Sequence, residues 1–281
     1  GISSSVTEFA LGKARPLITS HPTDVVQCEH TDAIFKVTAT GAAKLTYRWY
    51  KDGIIITNGP NYSGARTPTL TVIDINLVDD GTYYCIVTDR YRNSTRSNSA
   101  TLVVMKIPVA TVSISAQDHE CSEIAFENII LNLTYYDNPG SRFIWSRDNP
   151  TGISSSIPMS GTYFNIGDFI SGSFTNSTDA PIKVTFIITP IGPAPTNCYG
   201  NSVTSTVSVN PTPRATPLNY QPAICFGTST DIVMRTPTTM TRGVIDYDYF
   251  VTITDASVTG NTAPGNRQEN QHIIYPYQNS S

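Results

Sequence analysis

The chain contains an internal repeat of about one hundred residues, and this repeat limits what it can fold into. Two stretches each have a cysteine, an aromatic residue 24 positions later and an asparagine 54 or 55 positions after the cysteine. These residues are Cys121, Trp145 and Asn176 in the first copy and Cys225, Tyr249 and Asn279 in the second. The matched landmarks predict an array of similar modules rather than one large domain.

The composition favours strands over helices. Only 14% of the 281 residues are charged, against roughly 25% in typical globular domains. No segment repeats apolar residues at three- and four-residue spacing over several turns. Short alternating runs such as 69–73 and 99–104 are common instead. We therefore expect an all-β chain built from tandem β-sandwich modules.

Charge and motifs exclude several functions. The formal net charge of −4 argues against a nucleic-acid partner, and no apolar run approaches the ~18 residues that would span a membrane. No nucleophile elbow, phosphate loop or helical histidine pair is present. We predict no enzyme, no catalytic residue, no cofactor and no metal site. A structural Ca²⁺ held by acidic turns remains an open alternative.

Residues 49–85 carry the clearest pattern. Trp49 is followed by Asp79, Gly81, Tyr83 and Cys85, spaced Asp-x-Gly-x-Tyr-x-Cys. This pattern resembles the immunoglobulin-like (Ig-like) sandwich, in which the tryptophan packs in the core and the tyrosine forms a corner hydrogen bond. The resemblance implies an Ig-like module over residues 16–106, with Asp79, Gly81 and Tyr83 as its structural corner.

The cysteines of this module depart from the usual pattern. Val37, twelve residues before Trp49, occupies the place of the usual first core cysteine, and Cys28 lies nine residues earlier. Residues 28–41 read Cys-Glu-x-x-x-Ala-x-Phe-x-Val-x-Ala-x-Gly. This motif resembles a bacterial variety of Ig-like repeat that is common in large secreted proteins of the Bacteroidota. With this resemblance we predict a Cys28–Cys85 disulfide. Paired cysteines suit an oxidising compartment, although buried unpaired thiols remain an alternative.

Residues 107–210 resemble the PKD-like domain, a β-sandwich repeated in tandem in large bacterial surface proteins, including gliding-motility adhesins. The matching features are Cys121, Phe143-x-Trp145, Asn176-Ser177-Thr178, the run 184–190, Cys198 and Val207-x-Val209-Asn210-Pro211. The resemblance implies a Cys121–Cys198 disulfide.

The two ends of the chain are expected to be partial modules. Residues 211–281 form a second PKD-like copy in which Cys225 is unpaired, because the 77-residue spacing from Cys121 to Cys198 puts its partner near position 302. Downstream sequence or a donated strand would complete this copy. Residues 1–15 are either the last strand of an upstream module, at 5–11, or a tail.

The most suggestive binding feature follows Cys85. Arg90, Tyr91, Arg92 and Arg96 lie where antibodies carry their third variable loop. Arginines around a tyrosine can grip an anionic glycan or an acidic partner through bidentate contacts. The alternative is a solvated hairpin tip.

We therefore expect a non-catalytic segment of a large extracellular bacterial surface protein that acts as an adhesin stalk or spacer. Its partners would be neighbouring modules and a surface polysaccharide or surface protein. Type IX secretion and gliding motility follow from the resemblance alone. One alternative is an accessory carbohydrate-binding region of a secreted polysaccharide-degrading enzyme. Another is an assembly subunit that polymerises by strand donation.

Overall fold

The computed structural model describes residues 14–41, 44–134, 140–163, 165–225, 227–253, 258–260, 264–268, 270–274 and 277–279. The strand expected at residues 5–11 lies outside this part. The described chain divides into two compact units. The first takes in the described parts of the chain up to Val109, of Tyr135–Ser141 and of Ile191–Gly200; the second takes in the rest. The module boundaries at residues 106 and 210 remain predictions.

The first unit contains eleven strands among its described residues, and one short 3-10 helix at Leu77–Asp79. The strands are β1 (Leu17–Ser20), β2 (Val25–Cys28), β3 (Ala33–Lys36), β4 (Thr38–Thr40), β5 (Thr46–Lys51), β6 (Ile54–Ile55), β7 (Tyr62–Ser63), β8 (Thr69–Val72), β9 (Gly81–Thr88), β10 (Ser94–Arg96) and β11 (Ala100–Met105). One sheet has the order β2-β11-β9-β5-β6, with β10 also paired to β9. Smaller sheets have the orders β3-β8-β7 and β1-β4.

Alternating side chains build the core of this unit. Tyr83, Cys85 and Val87 on β9 are all buried, whereas the residues between them are half-buried, as expected for a strand with one face on the core. The Phe35 ring stacks on Tyr83 with centroids 4.7 Å apart and contacts Trp49 at 6.3 Å. This aromatic centre places Trp49 in the core, as the Ig-like resemblance implies.

The described residues of the second unit begin with ten strands in three sheets. Its strands are β12 (Ala110–Val112), β13 (Ala116–Cys121), β14 (Ile129–Leu133), β15 (Arg142–Arg147), β16 (Ile153–Ser154), β17 (Ser160–Tyr163), β18 (Phe169–Ile170), β19 (Thr175–Asn176), β20 (Ile182–Ile191) and β21 (Val203–Asn210). The main sheet has the order β13-β21-β20-β15-β17, a second sheet has the order β12-β14-β18, and the smallest pairs β16 with β19. Trp145, Phe174 and Phe186 pack together in the core.

The described residues after 210 form short strands grouped with the second unit. They are β22 (Leu218–Asn219), β23 (Ile232–Val233), β24 (Asp246–Tyr249), β25 (Val258–Gly260), β26 (Gly265–Gln268), β27 (His272–Ile273) and β28 (Tyr277–Asn279). Met234, Tyr247 and Ile273 make a small buried cluster of their own. This part of the chain therefore has a separate apolar centre, although a much smaller one.

The predicted Cys28–Cys85 disulfide is wrong. Cys28 is bonded to Cys198, with Cα atoms 5.7 Å apart, and Cys85 is a buried free thiol. Cys28 pairs with Met105 at the end of β11, whereas Cys85 exchanges two hydrogen bonds with Ser97, before β11 begins. Strand β11 alone spans about 17 Å, well beyond the ~7 Å that a disulfide allows between Cα atoms.

The predicted Cys121–Cys198 disulfide is wrong for the same reason. Cys121 pairs with Asn210, the last residue of β21, whereas Cys198 lies in the loop that leads into Val203, its first residue. The seven intervals from Val203 to Asn210 span about 23 Å. The loop Ile191–Gly200 belongs to the first unit, where Cys198 meets Cys28. Cys121 and Cys225 are exposed free thiols.

Candidate binding surface

The corner residues of the first unit hold the start of β9. The Tyr83 hydroxyl donates to the Asp79 carbonyl at 2.8 Å, and both residues are buried. The Asp79 carboxylate accepts from the Asn76 backbone N–H at 3.0 Å. This bond caps the start of the short 3-10 helix, as in a capping box. Burial raises the pKa of Tyr83, with a further contribution from nearby Tyr62 and Asp79. The phenol therefore stays protonated and keeps donating.

Gly81 completes this corner. Its backbone conformation and the lack of room for a side chain both require glycine. Its φ of 149° lies in a region that L side chains rarely adopt, and a Cβ there would stand 2.4 Å from the Asp52 carboxylate. That carboxylate accepts from the Thr82 N–H at 2.8 Å. The corner therefore ties β9 to the turn between β5 and β6.

The loop after β9 is organised by one buried acid. Asp89 is only 5% exposed, and its Oδ1 accepts from the backbone N–H groups of Tyr91 and Asn93 at 2.8 and 2.9 Å. Arg92 takes a positive φ of 67°, which closes the turn into β10. The buried acid of this loop thus has a structural role.

The predicted ligand arginines do not converge on one point. The Arg90 guanidinium lies 4.5 Å from the centroid of the Tyr91 ring. Arg96 lies on β10 instead, 3.8 Å above the Tyr84 ring, and donates to the Ser99 hydroxyl at 3.1 Å. The loop therefore presents two separate arginine–tyrosine pairs, and Arg92 sits at the turn between them.

Arg96 extends a row of side chains across the outer face of the sheet. The Tyr84 ring stacks on Tyr50 with centroids 5.0 Å apart and an interplanar angle of 5°, and Tyr50 pairs with Ile55 on β6. Ile55 exposes 43% of its surface. We call Ile55, Tyr50, Tyr84 and Arg96 the outer strip. Tyr50 and Tyr84 are half-buried and Arg96 is exposed, so the outer strip offers aromatic edges and a guanidinium to a sugar or an acidic group.

Sequence reasoning missed the tyrosines of the outer strip. The signal was present in the alternation of the strands. Trp49 points to the core, so Tyr50 must point outward, and Tyr84 lies between the inward residues Tyr83 and Cys85. The pairing of Tyr50 with Tyr84 needs the β5–β9 register, which sequence does not supply.

The second unit has a shallow depression on the outside of its main sheet. Its volume is about 360 Å³, and its lining includes Ile144, Ser146, Thr162 and Ile187. None of these side chains is ionisable. The depression therefore offers weak apolar and hydroxyl contacts rather than acid–base chemistry.

No group of three or more histidine, cysteine or acidic side chains is placed to hold a metal ion among the described residues. Over the same part of the chain, no helix has the length and apolar character needed to cross a membrane.

The described chain is an all-β protein of tandem β-sandwich modules, as predicted. Residues 15–89 match the family model described as an immunoglobulin domain, and residues 118–213 match the model described as a PKD-like domain. Neither model indicates an enzyme. The Ig-like and PKD-like order along the chain is therefore confirmed. A comparison with curated proteins found no match to this chain.

Solved structures similar to this chain include a titin I-band fragment, I67-I69, at 14% sequence identity and a TM-score of 0.47, covering 95% of this chain and 89% of that one. The structure titled Rst D1-D2 matches at 16% identity and a TM-score of 0.39, over 70% of this chain and 100% of the other. Titin domain M7 matches at 29% identity and a TM-score of 0.30, over 33% and 96%. The fold class rests on the strand arrangement and the two family models.

Proposed function

We propose that this chain is part of an extracellular stalk or spacer in which β-sandwich modules follow one another without catalytic chemistry. The tandem Ig-like and PKD-like models support a modular spacer, and a disulfide suits an oxidising compartment. An adhesin role on a bacterial surface, secreted by the type IX route and tied to gliding motility, is part of this proposal.

The Cys28–Cys198 bridge is the observation that carries the proposal. It joins two residues separated by 170 positions, and the whole Ig-like core motif from Trp49 to Cys85 lies inside the closed loop. When the chain is pulled from beyond both cysteines, tension passes through the sulfur–sulfur bond and not through the strands inside the loop. Such a bridge limits how far a stalk extends under shear.

Single-molecule force measurements test this proposal. The chain, anchored at its two ends, is expected to extend roughly 600 Å further after reduction, because about 170 residues at ~3.5 Å each are released. The double variant Cys28→Ser/Cys198→Ser should reach the longer extension without reductant. Equal extension of the oxidised and reduced wild-type chain would contradict the proposal.

A second candidate function is recognition by the outer strip. The stacked Tyr50 and Tyr84 rings and the Arg96 guanidinium over Tyr84 favour a polysaccharide or an acidic surface protein as the ligand. Binding to a panel of anionic and neutral polysaccharides should weaken at least tenfold in Tyr84→Ala and Arg96→Ala. The exposed Tyr220 lies in the other unit, and Tyr220→Ala is the matched control. Unchanged binding in all three variants would remove the strip from consideration.

Assembly by strand donation is separable from both functions. It requires polymers that grow with protein concentration, since each copy must capture a strand from another. Sedimentation velocity over a hundredfold concentration range should give one unchanged species if the chain is a spacer. A series of larger species at high concentration would favour donation.

A further inference from the structure

Three cysteines head similar local turns. The carbonyl of Cys28 accepts from the Thr31 hydroxyl at 2.6 Å, that of Cys121 from the Ile124 N–H at 3.2 Å, and that of Cys225 from the Thr228 N–H at 3.0 Å. The third residue of each turn has a positive φ: 61° at His30, 71° at Glu123 and 74° at Gly227. We call Cys28, Cys121 and Cys225 the head cysteines.

The first two head cysteines also occupy the same place in their sheets. Cys28 ends β2, which runs parallel to β11 and pairs Cys28 with Met105, the last residue of that strand. Cys121 ends β13, which runs parallel to β21 and pairs Cys121 with Asn210, again the last residue. The next residue in each case donates its N–H to the same partner, Glu29 to Met105 at 2.9 Å and Ser122 to Asn210 at 3.0 Å.

The first of these head cysteines, Cys28, has a disulfide partner. Cys28 is disulfide-bonded to Cys198, which lies in the loop between β20 and β21. That loop belongs to the PKD-like sequence headed by Cys121, 77 residues earlier. Cys198, the loop cysteine of this PKD-like copy, is therefore bonded to the head cysteine of the preceding module, Cys28. It is not bonded to Cys121, the head cysteine of its own module.

We propose that Cys121 is the site of a second such bridge, to the loop cysteine of the copy headed by Cys225. Cys121 matches Cys28 in turn, register and strand end, and its thiol is exposed and free. The 77-residue spacing from Cys121 to Cys198, counted from Cys225, places this loop cysteine near position 302. Each module of the array would then be linked covalently to the next, and no bridge would close within one module. This pairing rests on the proposed function as a modular stalk.

Forming the bridge is a two-electron oxidation. The thiols of Cys121 and the incoming cysteine lose two protons and two electrons as the sulfur–sulfur bond forms. A disulfide oxidant accepts them; glutathione disulfide, for example, is reduced to two glutathione thiols.

The test uses the native protein extended through the end of the copy headed by Cys225. After oxidation with glutathione disulfide, free thiols are alkylated, and the digest is mapped by mass spectrometry without reduction. We expect two cross-linked peptide pairs, one joining Cys28 to Cys198 and one joining Cys121 to the loop cysteine. Cys225 should be alkylated.

Two variants separate the possible pairings. Cys121→Ser should leave the loop cysteine alkylated, whereas Cys225→Ser should leave the Cys121 cross-link intact. A cross-link between Cys225 and the loop cysteine would overturn the inference and leave the stalk proposal standing. A native sequence without a cysteine in that loop would also overturn it. The stalk proposal fails separately, by the force measurement on Cys28–Cys198.

Discussion

The two buried tryptophans occupy similar core positions but differ in hydrogen bonding. Trp49 donates its indole N–H to the Thr67 carbonyl at 3.0 Å. Trp145 Nε1 is one of the buried side-chain atoms that have no hydrogen-bond partner among the described residues. Its ring lies against Gly161, where an added Cβ would stand 2.6 Å from Nε1. A buried donor without a partner is destabilising, so the two side chains contribute unequally to stability.

Replacement of each tryptophan by phenylalanine tests this difference. Both changes remove similar volume, but only Trp49→Phe breaks a hydrogen bond and leaves an acceptor unpaired. We expect Trp49→Phe to lower the free energy of unfolding by about 1 kcal/mol more than Trp145→Phe does. Scanning calorimetry of the two variants measures this difference in the free energy of unfolding. An equal loss in both would mean that the Trp49–Thr67 bond contributes nothing net.

Cys85 should make the stability of the first unit depend on alkaline pH. Burial raises the pKa of its thiol to about 11, and a backbone hydrogen bond at Arg48 opposes this. In the unfolded chain the pKa of the thiol is ~8.5. Its contribution to stability is therefore complete below the unfolded pKa and is lost as the pH rises through the folded one.

Urea unfolding between pH 7 and pH 10.5 measures this dependence. Cys85→Ala should reduce the alkaline loss of stability without abolishing it, because burial also raises the pKa of Tyr83. The exposed Cys121 provides the control, and Cys121→Ala should leave the slope unchanged. The same slope in Cys85→Ala and wild type would assign the effect to the tyrosines of this unit whose pKa burial raises, Tyr83 and Tyr62.

Turns decide how the strands of the first unit connect. Asp52 and Gly53 both have positive φ, 48° and 83°, which is the geometry of the two-residue hairpin turn that matches strand twist. Gly64, near β7, also has a positive φ of 75°, but its environment differs. A Cβ at Gly64 would stand 2.1 Å from the Thr69 carbonyl oxygen, whereas a Cβ at Gly53 meets nothing within 4 Å.

Alanine at these two glycines separates backbone strain from steric clash. Gly53→Ala should cost roughly 1–2 kcal/mol, the penalty for a left-handed residue with a side chain. Gly64→Ala carries the same penalty and must also move backbone, so its loss of stability should be clearly larger. Chemical denaturation of both variants gives the comparison. A Gly64→Ala variant as stable as Gly53→Ala would show that β7 and β8 can shift at little cost.

At the scale of the whole molecule, one covalent bond joins distant parts of the sequence. The bridge closes a loop across 170 positions, and constraining the unfolded chain in this way typically stabilises a protein by ~2–4 kcal/mol. It also holds the Ile191–Gly200 loop within the first unit. Met105 lies close to this loop, since the Cys198 sulfur is 3.9 Å from the Met105 carbonyl oxygen.

Removal of the bridge should lower the unfolding temperature of the first unit. We expect Cys28→Ser/Cys198→Ser to lose about 2–4 kcal/mol, with the wild-type chain in reductant behaving in the same way. Cys225→Ser changes an exposed thiol and should have no effect. Calorimetry with and without reductant measures the unfolding temperature of the wild-type chain and of each variant. A wild-type transition that is insensitive to reductant would contradict the bridge.

The class of fold and the local geometry could be predicted from the sequence alone. The resemblance to Ig-like and PKD-like domains implied Trp49 in the core, the Tyr83 corner and the order of the modules. The short motifs that carry this resemblance, and the alternation of the strands, depend on neighbours close in the chain. The folded structure was needed to show which cysteines form a disulfide and that Tyr50 stacks on Tyr84. Spacing cannot reveal that Cys28 and Cys85 lie at opposite ends of β11, or that the Ile191–Gly200 loop reaches Cys28. Those facts depend on strand register and on long-range packing, which bring together residues that no local pattern connects.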